Sequence, residues 1–311
     1  MPESAVTPEG APETPHLPLT PADEGSRTRL AGWFSALVSL AMLVAVVLEL
    51  RKLEFAQVLE LVPSHAGFWV FFAAYYMALP ISEWLIYRRM WPIPLVSGMA
   101  ALLRKLVSNE LLLGYLGEAQ FYGWVRSHLK LEATPFGAIK DVTILSALTG
   151  NIMTLVMLIL AWPLVSSGQI GMEMKSTFLS LGVILITSFA ILLFRQKLFT
   201  LPKRELWFIS LVHVLRILVV LACSAMMWHL VLPDVSVTLW IVLATLRMLL
   251  SRLPLLPNKD VVFAGLAVFL LGHEVQVAGL MTLMAVMLLV AHLCVGAIFG
   301  AVGLLDSRSE T

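Results

Sequence analysis

The sequence predicts an all-α fold: a polytopic helical membrane bundle of seven to eight spans, in two related halves, with two re-entrant or broken segments. Three observations carry this reading. Of 311 residues, 59% are hydrophobic and 13% charged, whereas soluble domains carry about 25% charged residues. Mean hydropathy is +0.89. Several apolar runs approach the ~20 residues that cross a hydrocarbon core, and clustered Arg and Lys residues punctuate them. An outer-membrane barrel would instead show alternating segments of ~10 residues. The net charge of +1 gives no reason to expect nucleic acid.

Residues 1–29, rich in Pro, Glu, Thr and Ser, read as a disordered tail, because such a segment cannot bury enough apolar surface to offset chain entropy. They lack the basic start and short apolar core of a signal peptide. The transmembrane domain occupies residues 30–305, and 306–311 form a short C-terminal tail. Ala31–Leu50 is the first span, closed by Arg51 and Lys52. Leu53–Val62 has an apolar stripe at helical spacing and reads as an interfacial helix. Gly67–Tyr87 is the second span, with Glu83 about one turn from Arg88 and Arg89 and so able to reach the interface. Met90–Leu103 is short, but snorkelling of its basic flanks would let Arg88–Ser108 cross. Val142–Trp162, Thr177–Phe194, Leu206–Val231 and Val235–Leu250 are further spans. Leu253–Gly272 is broken by Pro254 and Pro257, and the last span runs from Gly279 to Leu305.

Positive charge sets orientation. A seven-span solution starts with the N-terminus inside and leaves only Arg51, Lys52, Lys175 and Arg308 outside. An eight-span solution, in which Arg88–Ser108 crosses, starts outside. Both put the 106–130 stretch and the Pro254–Gly272 segment at the cytoplasmic face.

Two places read alike. "LRKLVSNELLLG" begins at Leu103 and "LRMLLSRLPLLP" at Leu246, so Arg104 and Ser108 match Arg247 and Ser251. The same offset lays the second span on Leu206–Val231 and Val142–Trp162 on the last span. Each copy is followed by a half-polar, broken segment, the pattern of repeat-built transporters. In the first copy that segment carries Glu110, Gly114, Gly117, Glu118, Gln120 and Gly123 among leucines and aromatics. It is too polar to span and too apolar for water. A hairpin that dips into the membrane and returns satisfies both, provided its backbone is buried in protein or lines a wet cavity; an amphipathic helix lying on the cytoplasmic surface is the alternative. The glycines would permit close helix approach.

Arg216 is the most informative residue. It lies ten positions into its span, ~15 Å deep, where an arginine costs at least ~2.5 kcal/mol unless it faces a cavity or a partner. Its planar fork suits phosphate, and His213 shares its helix face. The alternative is a structural pair with a carboxylate, Glu118 or Glu274. Arg104 and Arg247 are shallower and would form a rim or snorkel to headgroups. Glu118 would pair with an arginine, carry a proton or mark a solvated edge. Asp141 reads as a charge at a helix start. Cys223 and Cys294 read as small buried hydrophobes. No spacing indicates a catalytic constellation, a metal site or a cofactor.

With "LLLGYLGEAQFYGWVRSH" as the first broken segment and "RLPLLPNKDVVFAGLAVFLLG" as the second, the chain resembles the transmembrane domain family of lysylphosphatidylglycerol synthase/flippase proteins over residues 31–305. Gly117 and Glu118 are the motif positions that carry over; Phe121 stands where the family has arginine. The sequence has no soluble aminoacyl-transfer domain, so the resemblance implies flippase-like movement of a lipid or lipid-linked headgroup rather than synthesis. The expected protein is non-enzymatic and multi-pass in a bacterial cytoplasmic (inner) membrane. Its expected partners are membrane lipids, and a homo-oligomer is compatible with the sequence. The expected substrate-binding residues are Arg216, His213, Arg247, Arg104, Glu118 and Gly117. The rival readings are a lipid-acting membrane enzyme using Glu118 and His128 as acid and base, and an assembly partner with no substrate.

Overall fold

The computed structural model describes residues 63–112, 116–129, 135–166, 198–252 and 274–309, with isolated helical residues between 37 and 44, between 179 and 189, and at 263 and 267. The tail 1–29, the interfacial helix Leu53–Val62 and most of Ala31–Leu50 lie outside the described residues. Seven helices are described: α1 Ala66–Met90, α2 Leu95–Leu111, α3 Leu116–His128, α4 Phe136–Ser166, α5 Lys203–Val231, α6 Val237–Arg252 and α7 Glu274–Ser309. Among the described residues there is no strand. Four segments are long and apolar enough to cross a membrane: α1, Phe136–Met157 of α4, α5, and Leu283–Ala301 of α7. The chain therefore has the build of a helical integral membrane protein.

Local chemistry sets the helix ends. His65 caps α1 by accepting the Gly67 amide at 3.1 Å. Arg88 and Arg89 close its last turn, where positive charge complements the helix dipole. Pro92 and Pro94 then exclude helix from the residues before them, and Pro94 becomes the N-cap of α2. Pro202 plays the same part for α5. On α5, Trp207, Leu211, Leu215, Leu218 and Val219 form an exposed apolar stripe. In a bilayer such a stripe meets acyl chains.

Side-chain contacts give the helix directions. Arg89 at the end of α1 holds Glu205 at the start of α5 (Nε–Oε2, 2.6 Å), and Gly67 at the start of α1 lies beside Leu230 near the end of α5. These two helices are antiparallel. Their Arg89–Glu205 end also carries Arg88, Lys203 and Arg204 and is the basic end. α4 runs parallel to α5, since Val142 meets His213 and Ser146 meets Arg216. α2 leaves the basic end beside α1, and α3 returns to it: Phe121 lies 4.7 Å from Tyr87, and Tyr122 6.4 Å from Phe136. α2 and α3 thus pack as an antiparallel helical pair with both feet at one end. The pair begins before the 106–126 segment expected, and α2, with 17 residues, is not among the helices long and apolar enough to cross a membrane.

Two cores result. One joins Ile86, Tyr87, Phe121, Val142 and Ile209 at the basic end. The other joins Phe68, Trp228, Trp240, Phe263, Leu283 and Met287 at the opposite end. The second core corrects the expected orientation of the C-terminal part. Phe263 lies 6.1 Å from Trp228, and Ala267 belongs to the same core. This places these two residues of the Pro254–Gly272 segment at the end opposite Arg89–Glu205, away from the basic end where the charge count put them. Leu280–Met287 share that core with Phe68, and His292, further along α7, meets Tyr76, further along α1 (5.2 Å). α7 therefore runs parallel to α1 and finishes on the basic side, where the charge count had expected Arg308 on the other. The reason is length: α6 has 16 residues, a rise of ~24 Å, short of a ~30 Å hydrocarbon core. The chain from α5 to α7 starts and finishes at the same end.

Candidate functional site

The hairpin is held together by a contact only glycine allows. A Cβ on Gly117 would lie 2.2 Å from the Lys105 carbonyl oxygen and 2.8 Å from Asn109 Oδ1, inside any real van der Waals contact. The Gly117 amide instead donates to Asn109 Oδ1 at 2.7 Å, so α3 starts against the last turns of α2. Ser108 Oγ, fully buried, donates to the Arg104 carbonyl at 2.8 Å and meets Gln120 Oε1. Gly117 thus acts through the backbone. Gly123, expected to help in the same way, faces open space.

This seam places Glu118 over Lys105. Lys105 Nζ lies 2.6 Å from Glu83 Oε1 and 3.4 Å from Glu118 Oε1. Asn109 Nδ2 donates to the other Glu118 oxygen at 3.1 Å. The side chains of Lys105 and Glu83 are 5% and 9% exposed, that of Glu118 20%. An ion pair this buried needs its full set of partners, because each unpaired charge costs several kcal/mol to desolvate. On the facing helices, Arg216 Nη2 donates to Ser146 Oγ at 3.0 Å.

These groups meet in one cavity of about 370 Å³, lined by Glu83 from α1, Lys105 and Asn109 from α2, Glu118 from α3, Ser146 from α4 and Arg216 from α5. Leu79 and Leu106 supply apolar wall. Among the described residues two cations and two carboxylates face it, and their formal charges sum to zero. Arg216 sits near the middle of α5. The volume lies at the small end of ligand sites, which run from about 300 to 1,000 Å³.

Of the residues singled out from sequence, the structure brings Arg216 and Glu118 to this cavity. Gly117 builds its seam. His213 stands one turn from Arg216, fully buried, with Nε2 3.3 Å from the Val142 carbonyl; it positions α4 against α5 rather than facing the cavity. Arg104 and Arg247 do not line it. The Arg247 guanidinium lies over two rings, 5.9 Å from Trp228 and 5.8 Å from Phe263, with Nη1 3.5 Å from Met281 Sδ. Glu274's side chain lies outside the described residues. His128, the partner required by the enzyme reading, is exposed at the far end of α3, against Trp124 and Ser127. Ten residues of helix separate it from Glu118, ~15 Å.

Asp141 departs from its expected role. α4 begins at Phe136, so Asp141 lies in its second turn, fully buried. One oxygen, Oδ2, accepts the Thr200 amide at 2.7 Å, the Leu201 amide at 2.8 Å and the Thr200 hydroxyl at 2.9 Å. It clamps the turn before α5 to α4 and thereby sets the height of Arg216. Cys223 is buried as expected, whereas Cys294 is exposed on α7. Among the described residues no His, Cys, Asp and Glu group has the arrangement of a metal site.

The residues missed from sequence are Lys105 and Glu83. Both looked like flanking charges near an interface. The available signal was their pairing across two successive apolar runs, one carboxylate and one ammonium, each within reach of the other once the chain turned back at Pro92–Pro94. No protein-family model, no curated protein and no solved structure matches the chain.

Proposed function

We propose that this chain is a non-enzymatic, flippase-like protein of a bacterial cytoplasmic membrane, which binds and translocates an anionic lipid or lipid-linked headgroup. One observation carries the reading: Arg216 and Lys105 face a single cavity among helices built to span a bilayer. A cation at that depth is expensive unless it serves a partner or a ligand, and guanidinium is shaped for phosphate oxygens. The basic end is then the cytoplasmic face, and α2–α3 is a re-entrant hairpin opening towards it.

The two-halves reading takes an inverted form in this proposal. α1 and α5 are antiparallel, and the packing partners exchange under the repeat offset: α1–α2 corresponds to α5–α6, and α2–α7 to α6–α4. Inverted repeats with broken helices are a common transporter plan. It also agrees with the resemblance to the lysylphosphatidylglycerol synthase/flippase transmembrane family.

The test is Arg216→Met beside Arg216→Lys in proteoliposomes containing a labelled anionic phospholipid. Arg216→Met is expected to fold with a lowered melting temperature, since it leaves two carboxylates to one cation, and to lose binding and translocation. Arg216→Lys keeps charge without the fork and is expected to retain a small part. If Arg216 only maintains structure, Arg216→Met will instead lose roughly 3–5 kcal/mol of stability while the fraction that folds binds anionic lipid like the parent. A stable, fully active Arg216→Met protein overturns the proposal.

A further inference from the structure

Resting on that reading, we infer that Glu118 occupies the seat of the substrate's anionic group on Lys105, and that the ligand is a singly charged phosphodiester headgroup which enters by replacing it. Among the described residues the charges facing the cavity already balance: Lys105 and Arg216 against Glu83 and Glu118. Adding an anion without removing one would leave excess negative charge among partly buried groups, which weakens binding. One carboxylate must yield, and the two are not equivalent. Glu83 is on the long helix α1, 2.6 Å from Lys105 Nζ, with its side chain 9% exposed. Glu118 is at 3.4 Å, 20% exposed, on the 13-residue α3.

The groups facing Glu118 fit this exchange. α2 presents Lys105 and the Asn109 amide. α1 presents Glu83, and α5 presents Arg216. α4 contributes the Thr143 and Ser146 hydroxyls. The cations are fixed on long helices and the hydroxyls can donate to phosphate oxygens. The leaving carboxylate carries one charge, so a ligand of one charge restores neutrality. A phosphomonoester, with nearly two charges at neutral pH, overshoots. Lys105 is accordingly a substrate-binding residue, and Glu118 sets both affinity and the preferred charge.

Glu118→Gln tests this, because its amide oxygen can still accept from Asn109 while the competing charge is gone. Binding of short-chain phosphatidylglycerol, phosphatidic acid and phosphatidylethanolamine, and of water-soluble glycerophosphoglycerol and inorganic phosphate, is measured on the full-length protein in detergent, with melting curves to establish folding. For the parent protein, phosphatidylglycerol is expected to bind more tightly than phosphatidic acid. Glu118→Gln is expected to bind phosphatidylglycerol about tenfold more tightly. Glycerophosphoglycerol competing as well as the lipid identifies the headgroup alone as the ligand; competition by inorganic phosphate at equal strength, or a preference for phosphatidic acid, overturns the phosphodiester assignment. If the parent binds phosphatidylglycerol and folded Glu118→Gln binds it no more tightly, the replacement fails while the proposed function stands. If neither protein binds any anionic lipid, the proposed function fails with it.

Discussion

Lys105 and Arg247 lie one residue apart when the like stretches that begin at Leu103 and Leu246 are matched, yet they live in opposite surroundings. Lys105 on α2 is held by two carboxylates and faces a polar cavity. Arg247 on α6 lies over Trp228 and Phe263 and against a methionine sulfur. The first arrangement keeps charge and hydrogen-bonding groups where a ligand can reach them. The second covers a cation with aromatic faces, which attract it electrostatically. The difference teaches that similar local sequence does not make two similar sites. What surrounds a cation decides whether it can meet a ligand or packs, and among the described residues Glu83, Asn109, Glu118 and Ser146 line the cavity with Lys105.

The largest effect should come from breaking the first arrangement. Lys105→Met leaves Glu83 buried without its cation, and removing one partner of a buried pair costs roughly 3–5 kcal/mol. The expected outcome is a strong drop in melting temperature or failure to accumulate folded protein. Restoration of folding by adding Glu83→Met would show that the stranded carboxylate, not lost packing, is responsible. An unchanged melting curve for Lys105→Met would contradict the ion-pair description. Arg247→Met should do far less. It gives up cation–π attraction of about 0.5–1 kcal/mol per ring but fills the same apolar space. Melting should shift slightly and lipid binding should persist; loss of binding would mean that the second copy is also a ligand site.

Much of this was legible beforehand, and the reasons are specific. The apolar runs of α1, α4, α5 and α7 announce themselves because water must be excluded over a fixed thickness. Arg216 stood out because a charge is rare at mid-span, and Glu118 because the glycines beside it allow a hairpin. The orientation of α6 and α7 was not legible. Counting positive charges treats every apolar run as crossing, although Val235–Leu250, at 16 residues, is shorter than the ~20 that span a hydrocarbon core. Lys105 was hidden for a related reason: a lysine after a short apolar run looks like a snorkelling flank. Its burial follows from Gly117, whose missing side chain lets α3 close over it. Asp141 likewise looked like a helix-start charge, and only the approach of Thr200 and Leu201 reveals its clamp.

The most direct measurement is an experimental structure of the protein in nanodiscs of phosphatidylglycerol. The account predicts headgroup density in the cavity, with the phosphate between Lys105 and Arg216, the Glu118 carboxylate drawn away from Lys105, and no headgroup at Arg247. A cavity filled by acyl chain, or headgroup density at Arg247 with Lys105 still bridging Glu83 and Glu118, would contradict it.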